Sequence, residues 1–206
     1  VPYDGTSYDN DAVTVVANGV IDSNDKVLPS TIVAAWYAGQ SAAVPFNKSL
    51  TYAKYQGAKA VAPVKANDDI IDDLNAGRVV FTQRRNGDVV VEKDVNSLVT
   101  FTDQKGEQFR NNRELRALDE IANHVNEIFE DGYIGQVTNN EDGRSLLKAS
   151  LIAYFKDLSA NNVIGDFDNA DLFIAKGEDD ESVVINYAIT PLNSMEKLYN
   201  TITVTR

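Results

Sequence analysis

The chain has 206 residues, with 31 acidic and 19 basic side chains, a formal net charge of −12, one histidine and no cysteine. This acidity disfavours broad binding to nucleic acid or anionic membrane; the missing cysteines exclude disulfides and thiolate chemistry, and a lone histidine puts the usual zinc and iron sites out of reach. At 43% hydrophobic and 24% charged it suits one large or two small globular domains, and no apolar run approaches the ~20 residues of a membrane helix.

Residue 1 is valine, and residues 1–11 hold no basic stretch followed by an apolar core, so the expectation is a fragment or processed product of something longer. Residues 12–21 are rich in β-branched side chains and broken by Asn18-Gly19, which predicts strand, turn and strand start. Ser30 and Thr31 predict the cap of a helix carrying Ile32, Ala35, Trp36 and Ala38 and ending at Gly39. Residues 55–64 predict another strand. Asn67 reads as an N-cap, with Asp68 and Asp69 in the first turn, an apolar stripe of Ile70, Ile71 and Leu74, and a stop at Gly77. Residues 79–83 and 89–92 flank Asn86-Gly87, a type I′ hairpin signal that sets Arg85 opposite Asp88.

The polar stretch 103–112 predicts a boundary between domains 1–104 and 105–206. Asn111 and Glu114 resemble a capping box, and Leu115, Leu118, Ala122, Val125 and Phe129 then recur at helical spacing until Gly132. After a polar turn at 138–143, a second helix from about 144 to 158 carries Leu147, Leu151, Tyr154, Phe155 and Leu158. Val163-Ile164 and residues 171–175 predict strand pieces. Residues 183–189 predict a strand after the acidic turn Glu178, Asp179, Asp180 and Glu181. Beyond Pro191 and an amphipathic turn at 195–199, the chain closes on Asn200, Thr201, Ile202, Thr203, Val204 and Thr205, an alternating strand about 20 Å long at ~3.3 Å per residue.

Chemistry finds little foothold. His124 falls with Arg113, Ala117, Glu120 and Glu127 on the face opposite the apolar stripe, which predicts a solvated histidine rather than a base. There is no Gly-x-Ser-x-Gly elbow and no phosphate loop. A calcium loop starting at Asp166 needs glycine at its sixth position and glutamate at its twelfth, where this chain has Asp171 and Gly177. Asp166, Asp168 and Asp171 therefore read as turn residues, with Phe167 tucked into a core. The run 178–181 reads as a solvated loop that can also mate with a basic partner surface. The terminal strand can close its own sheet or add to a neighbour's edge. No catalytic and no metal-binding residue is expected.

The order of these segments resembles the C-terminal portion of a contractile-tail sheath protein, as in myophages, defective prophages and R-type bacteriocins. The resemblance is carried by Ala34-Ala-Trp-Tyr-Ala-Gly39, Asn47-Lys-Ser-Leu-Thr-Tyr52, Ala76-Gly77, Asp94-Val-Asn-Ser-Leu98 and Arg116-Ala-Leu-Asp-Glu-Ile121. It continues through Tyr133-Ile-Gly-Gln-Val-Thr-Asn-Asn140, Asp180-Glu-Ser-Val-Val-Ile185, Pro191 and Ser194-Met-Glu-Lys-Leu-Tyr199. It implies an α/β fold: a truncated subtilisin-like α/β sheath domain over 1–104, its N-terminal part missing, and a smaller α+β C-terminal sheath domain over 105–206. It further implies a structural subunit that polymerises around an inner tube and contracts by subunit rearrangement, with no catalysis and no cofactor. The implied partners are further copies of itself and the tail tube protein, with neither nucleic acid nor membrane.

In that scheme residues 200–205 resemble the C-terminal arm, which adds a strand to an adjacent subunit, and 178–181 are a candidate contact to tube or neighbour. The implied location is a phage virion tail or bacteriocin particle assembled in the bacterial host cytoplasm, which the absence of cysteine suits. The missing segment implies an uncovered sheet edge and a chain able to stay monomeric. The alternative is a subtilisin-like-fold hydrolase or calcium-dependent binding domain, which requires His124 or the 166–171 cluster to be functional.

Overall fold

The computed structural model describes residues 1–205. The chain forms two compact units, Val1–Leu115 joined by the segment from Asn193 onward, and Arg116–Leu192. In the first unit, β1 (Val15–Val16) runs parallel to β5 (Arg78–Val79), while β2 (Gly19–Asp22) lies between β3 (Val27–Leu28) and β4 (Ala58–Ala62), antiparallel to both. Between these strands come α1 (Ser30–Ala43) and α2 (Asn67–Asn75), and the hairpin of β6 (Phe81–Gln83) and β7 (Val89–Val91) follows. Val16, Val20, Val33, Tyr37, Val61, Val79, Phe81 and Val91 form the buried centre, against which the partly buried Trp36 stacks on Tyr55 with ring centroids 4.5 Å apart.

Four local expectations for this unit are corrected by the structure. Asn18-Gly19 is not a hairpin turn, because the strands on either side belong to different sheets. The Asn18 side chain acts as a ladder partner instead, donating to the Phe81 carbonyl (2.9 Å) and accepting from its N–H (2.8 Å). Gly19 is required by proximity, since a Cβ there would lie 2.3 Å from the Leu28 carbonyl oxygen. Helix α1 continues past Gly39 to Ala43 and buries Val33, Ala34 and Tyr37, leaving Ile32 exposed. In α2 the cap is Ala66, whose N–H donates to the Asp69 carboxylate (3.3 Å). The buried residue of α2 is Asp73, ion-paired with Lys65 (2.6 Å) and Arg78 (2.7 Å), while Ile71 is exposed.

The 84–88 hairpin loop also differs from type I′. Gly87 alone takes positive φ (89°), Gly87 N–H donates to Arg84 O (2.9 Å) and Arg84 N–H donates to Asp88 O (2.8 Å). This is the three-residue loop ending in a glycine bulge. Asp88 consequently pairs with Lys54 (2.5 Å) rather than standing opposite Arg85.

Helix α3 (Asn112–Gly132) begins in the first unit and continues into the second, where α4 (Glu141–Ala160) follows, capped by the Asn140 side chain accepting from Gly143 N–H (2.8 Å). Leu147, Leu151, Phe155 and Leu158 are buried on α4, as expected. On α3 the buried apolar positions are Ala117, Ile121 and Val125; of the expected stripe Val125 is buried, Leu115, Leu118 and Phe129 are partly buried and Ala122 is exposed. The antiparallel pair β8 (Leu172–Lys176) and β9 (Val183–Tyr187) completes the unit, with Leu172 opposite Tyr187 and Ile174 opposite Ile185. Phe155 gathers Phe167 (4.8 Å) and Tyr187 (5.0 Å) around its ring. Residues 195–199 form no turn; the chain there is irregular.

Candidate functional site

The first unit holds a buried polar centre. Asp94, 2% exposed just after β7, accepts from the Tyr37 hydroxyl, from Leu50 N–H (2.8 Å) and from Asn112 Nδ2 (2.9 Å). Its own N–H donates to Thr51 Oγ1 (2.9 Å). The carboxylate therefore ties α1, the 49–51 loop and the start of α3 together, and every donor aimed at it is matched to an anionic acceptor. Beside it, Glu114 is buried, and that burial is the main reason its carboxyl sits above the usual range, with the nearby Glu196 adding to the rise. Asn111 and Arg113 pull in the other direction.

The C-terminal segment meets this unit at Glu196. Glu196 Oε1 accepts from Thr51 Oγ1 (2.8 Å) and Ser49 Oγ (3.2 Å). Around and beyond it, Met195, Leu198, Tyr199, Ile202 and Val204 are each at least 80% exposed. Residues 200–205 keep their alternating pattern but pair with no strand among the described residues.

In the second unit, β8 and β9 form a two-stranded sheet, so each strand has one edge with no ladder partner among the described residues. Its outer face shows Phe173 and Val184 to solvent. The acidic loop connecting the strands is tied internally. Gly177 N–H donates to Ser182 O (2.9 Å), Lys176 pairs with Asp180, and Asn139 Nδ2 reaches the carbonyls of Asp180 (3.0 Å) and Ser182 (2.9 Å). Hydrogen bonds from Ser182 and the backbone hold the Asp179 carboxyl below its usual value, and all four acidic residues, Glu178, Asp179, Asp180 and Glu181, are exposed. Next to the loop lies a cleft of about 610 Å³ walled by Phe129, Ile134, Val137, Leu147 and Val183, with Arg144, Asp180 and Glu181 at its rim.

Sequence profiles now carry the decision: that of the phage tail sheath protein central domain matches residues 2–97, and that of the phage tail sheath C-terminal domain matches residues 104–205. The chain belongs to the phage tail sheath family. It is 33% identical over 199 residues to the XkdK protein of the phage-like element PBSX of Bacillus subtilis, covering 93% of this chain and 43% of that one. It is 39% identical to a sheath tail protein from Desulfitobacterium hafniense, with a TM-score of 0.81 over 93% of this chain and 45% of that one. The helical sheath of the anti-feeding prophage in its contracted state shares the fold, at 14% identity and a TM-score of 0.73, over 98% of this chain and 60% of that one. The sheath chain thus spans less than half the length of the first two relatives.

The residues weighed for chemistry take part in local contacts. Asp168 caps the short turn Asn169–Asp171 by accepting from Ala170 N–H (2.9 Å), and the Asp171 carboxylate accepts from Asp168 N–H (3.4 Å). No cluster of metal-ligating side chains occurs among the described residues. His124 is partly exposed to solvent, with its ring 4.6 Å from that of Tyr154 and Nδ1 3.0 Å from Glu127. Burial, with Glu120, Tyr187 and Glu127 adding to it, pushes the Tyr154 phenol up to about 12. Sequence reasoning missed Glu196, Ser49 and Thr51, although two of them lie in the Asn47–Tyr52 motif and the third in Ser194–Tyr199. That these two motifs meet is visible only in three dimensions.

Proposed function

We propose that the chain is the C-terminal part of a structural subunit of a contractile tail sheath, which polymerises around a tail tube, contracts by subunit rearrangement and performs no catalysis. One observation carries the reading: a terminal segment with strand alternation and exposed apolar side chains, in a protein whose second unit offers a hairpin with two open edges. Strand addition joins such parts, because backbone pairing supplies affinity while alternate side chains set register. Asn200, Thr201, Ile202, Thr203, Val204 and Thr205 act as the arm to a second copy. Glu178, Asp179, Asp180 and Glu181, all exposed, are the acidic loop offered to tube or neighbour.

We read residues 1–104 as the remainder of a subtilisin-like α/β domain and 105–206 as the C-terminal sheath domain. The parallel β1–β5 pair and the profile limits at residues 97 and 104 support that division. The subunit resides in the tail of a phage or a bacteriocin-like particle, assembled in the bacterial cytoplasm. The test is negative-stain electron microscopy of the full-length subunit with and without residues 200–206. Striated cylinders from the intact subunit, and dispersed folded particles from the deletion, are expected. Cylinders from both would refute the arm, and a deletion that loses its near-ultraviolet circular dichroism would show that the strand belongs to its own core.

A further inference from the structure

We propose that Glu196 is the positioning residue of the C-terminal arm: its carboxylate, clasped by Ser49 and Thr51, fixes the root of the segment on the first unit and leaves the arm to begin at residue 197. The inference rests on the arm reading above but concerns the point of attachment rather than the destination.

The clasp is oriented before Glu196 arrives. Thr51 Oγ1 accepts from the Asp94 N–H (2.9 Å), so its single proton is free to point the other way, toward Glu196 Oε1 at 2.8 Å. Ser49 Oγ accepts from the Thr51 N–H (3.0 Å), which turns its proton toward Thr51 Oγ1 (2.9 Å) and Glu196 Oε1 (3.2 Å). Two hydroxyls held as donors by the backbone need an acceptor with no proton of its own, and a carboxylate fits. Thr51 also links the clasp to the buried Asp94 centre, so the anchor sits on one of the most constrained parts of the unit.

Exposure marks the same boundary. Ser194 and Glu196 are half-buried, Met195 between them points fully outward, and every described residue from Lys197 is exposed. Four residues before Glu196, Leu192 N–H donates to Val163 O (3.0 Å), so only residues 193–195 separate two held positions. Residues 197–205, fully extended, reach roughly 30 Å. Releasing Glu196 would free residues 193–196 as well and add roughly 13 Å of slack to the arm.

Backbone 15N relaxation on this chain tests the assignment. In the unaltered chain, heteronuclear NOE values should stay high through residue 196 and fall from 197. Glu196→Ala should move that fall back to residue 193, with the dispersion of the remaining amides unchanged. Glu196→Gln, which keeps an acceptor oxygen, should restore the onset at 197. An onset unmoved by Glu196→Ala overturns the proposal. Sheath formation by a full-length subunit lacking residues 200–206 would refute the arm without touching this onset, so the two failures are separable.

Discussion

Replacing Asp94 by alanine removes the acceptor on which the first unit's polar centre converges. Three donors, the Tyr37 hydroxyl, Leu50 N–H and Asn112 Nδ2, then lose an anionic partner at a site 2% exposed. Bonds to a charged acceptor contribute about 1.5–3 kcal/mol each, and water entering the vacated space recovers part of the loss, so the expected cost is about 3–5 kcal/mol. That is a large fraction of the roughly 5–15 kcal/mol by which a domain is stable. Urea denaturation followed by circular dichroism should show the midpoint falling with little change in slope. Tyr37→Phe alone should cost about 1.5–3 kcal/mol, because the carboxylate stays behind with one donor fewer. In the Asp94→Ala background the same change should cost less than about 1 kcal/mol, since the carboxylate to which the hydroxyl donates is already gone. A loss below about 1 kcal/mol for Asp94→Ala, or strict additivity in the double variant, would refute the network as described.

Phe155→Ala should cost the second unit about 3–5 kcal/mol, because a fully buried ring that touches Phe167, Tyr187 and Tyr154 leaves a cavity. Amide exchange in α4 should accelerate, and unchanged protection would count against that core. Gly19→Ala should destabilise by about 1–3 kcal/mol or more, read as a lowered melting temperature, since the Leu28 carbonyl leaves no room for a methyl group. Glu114 should make the folded state bind a proton more tightly than the unfolded chain, because its raised carboxyl titrates above the ordinary value of 4.5. Its contribution is therefore greatest at low pH and declines as pH climbs from 4.5 through the raised value. Asp11 and Asp88, held low by hydrogen bonds from Lys105 and Lys54, run the opposite way. The comparison to make is the unaltered chain against Glu114→Gln across that range; identical slopes would remove Glu114 from the account.

Local signals transferred well to the structure. Gly77 and Gly87 take positive φ, the 178–181 run is a turn, and α4 buries the expected side chains under an Asn140 cap. What failed was the choice of face, and in each case a polar partner that the periodicity does not report made the choice. Tyr37 turns inward because Asp94 lies 57 positions away in sequence but at hydrogen-bond distance in space. Asn18 gives up its turn to Phe81, 63 positions on, and Asp73 is buried because Lys65 and Arg78 flank it. Periodicity reports that a stripe exists; it does not report which buried polar group the stripe must satisfy. Residues 200–205 show an alternating strand pattern in sequence, whereas the contact of Glu196 with Thr51 depends on two motifs about 145 residues apart.

The energetics of the proposed arm account for a segment that pairs with no strand among the described residues here and, on that proposal, joins subunits. Burying Leu198, Tyr199, Ile202 and Val204 on a partner yields about 1.5–3 kcal/mol per side chain. Ordering the nine residues from 197 to 205 costs about 1–2 kcal/mol each, so side chains alone roughly break even at best. Backbone pairing, at about 0.5–1.5 kcal/mol net per bond, tips the balance only slightly. One arm on one neighbour is therefore weak, and two isolated chains should not stay together at micromolar concentration. In a polymer the same arm acts at the high effective concentration set by its neighbours, so a marginal bond becomes a durable one. Anchoring at Glu196 serves that balance by ordering the root of the arm in advance and lowering the entropy lost on docking. A tether built this way holds through backbone bonds while the side-chain contacts around it exchange, as a sheath that rearranges its subunits requires.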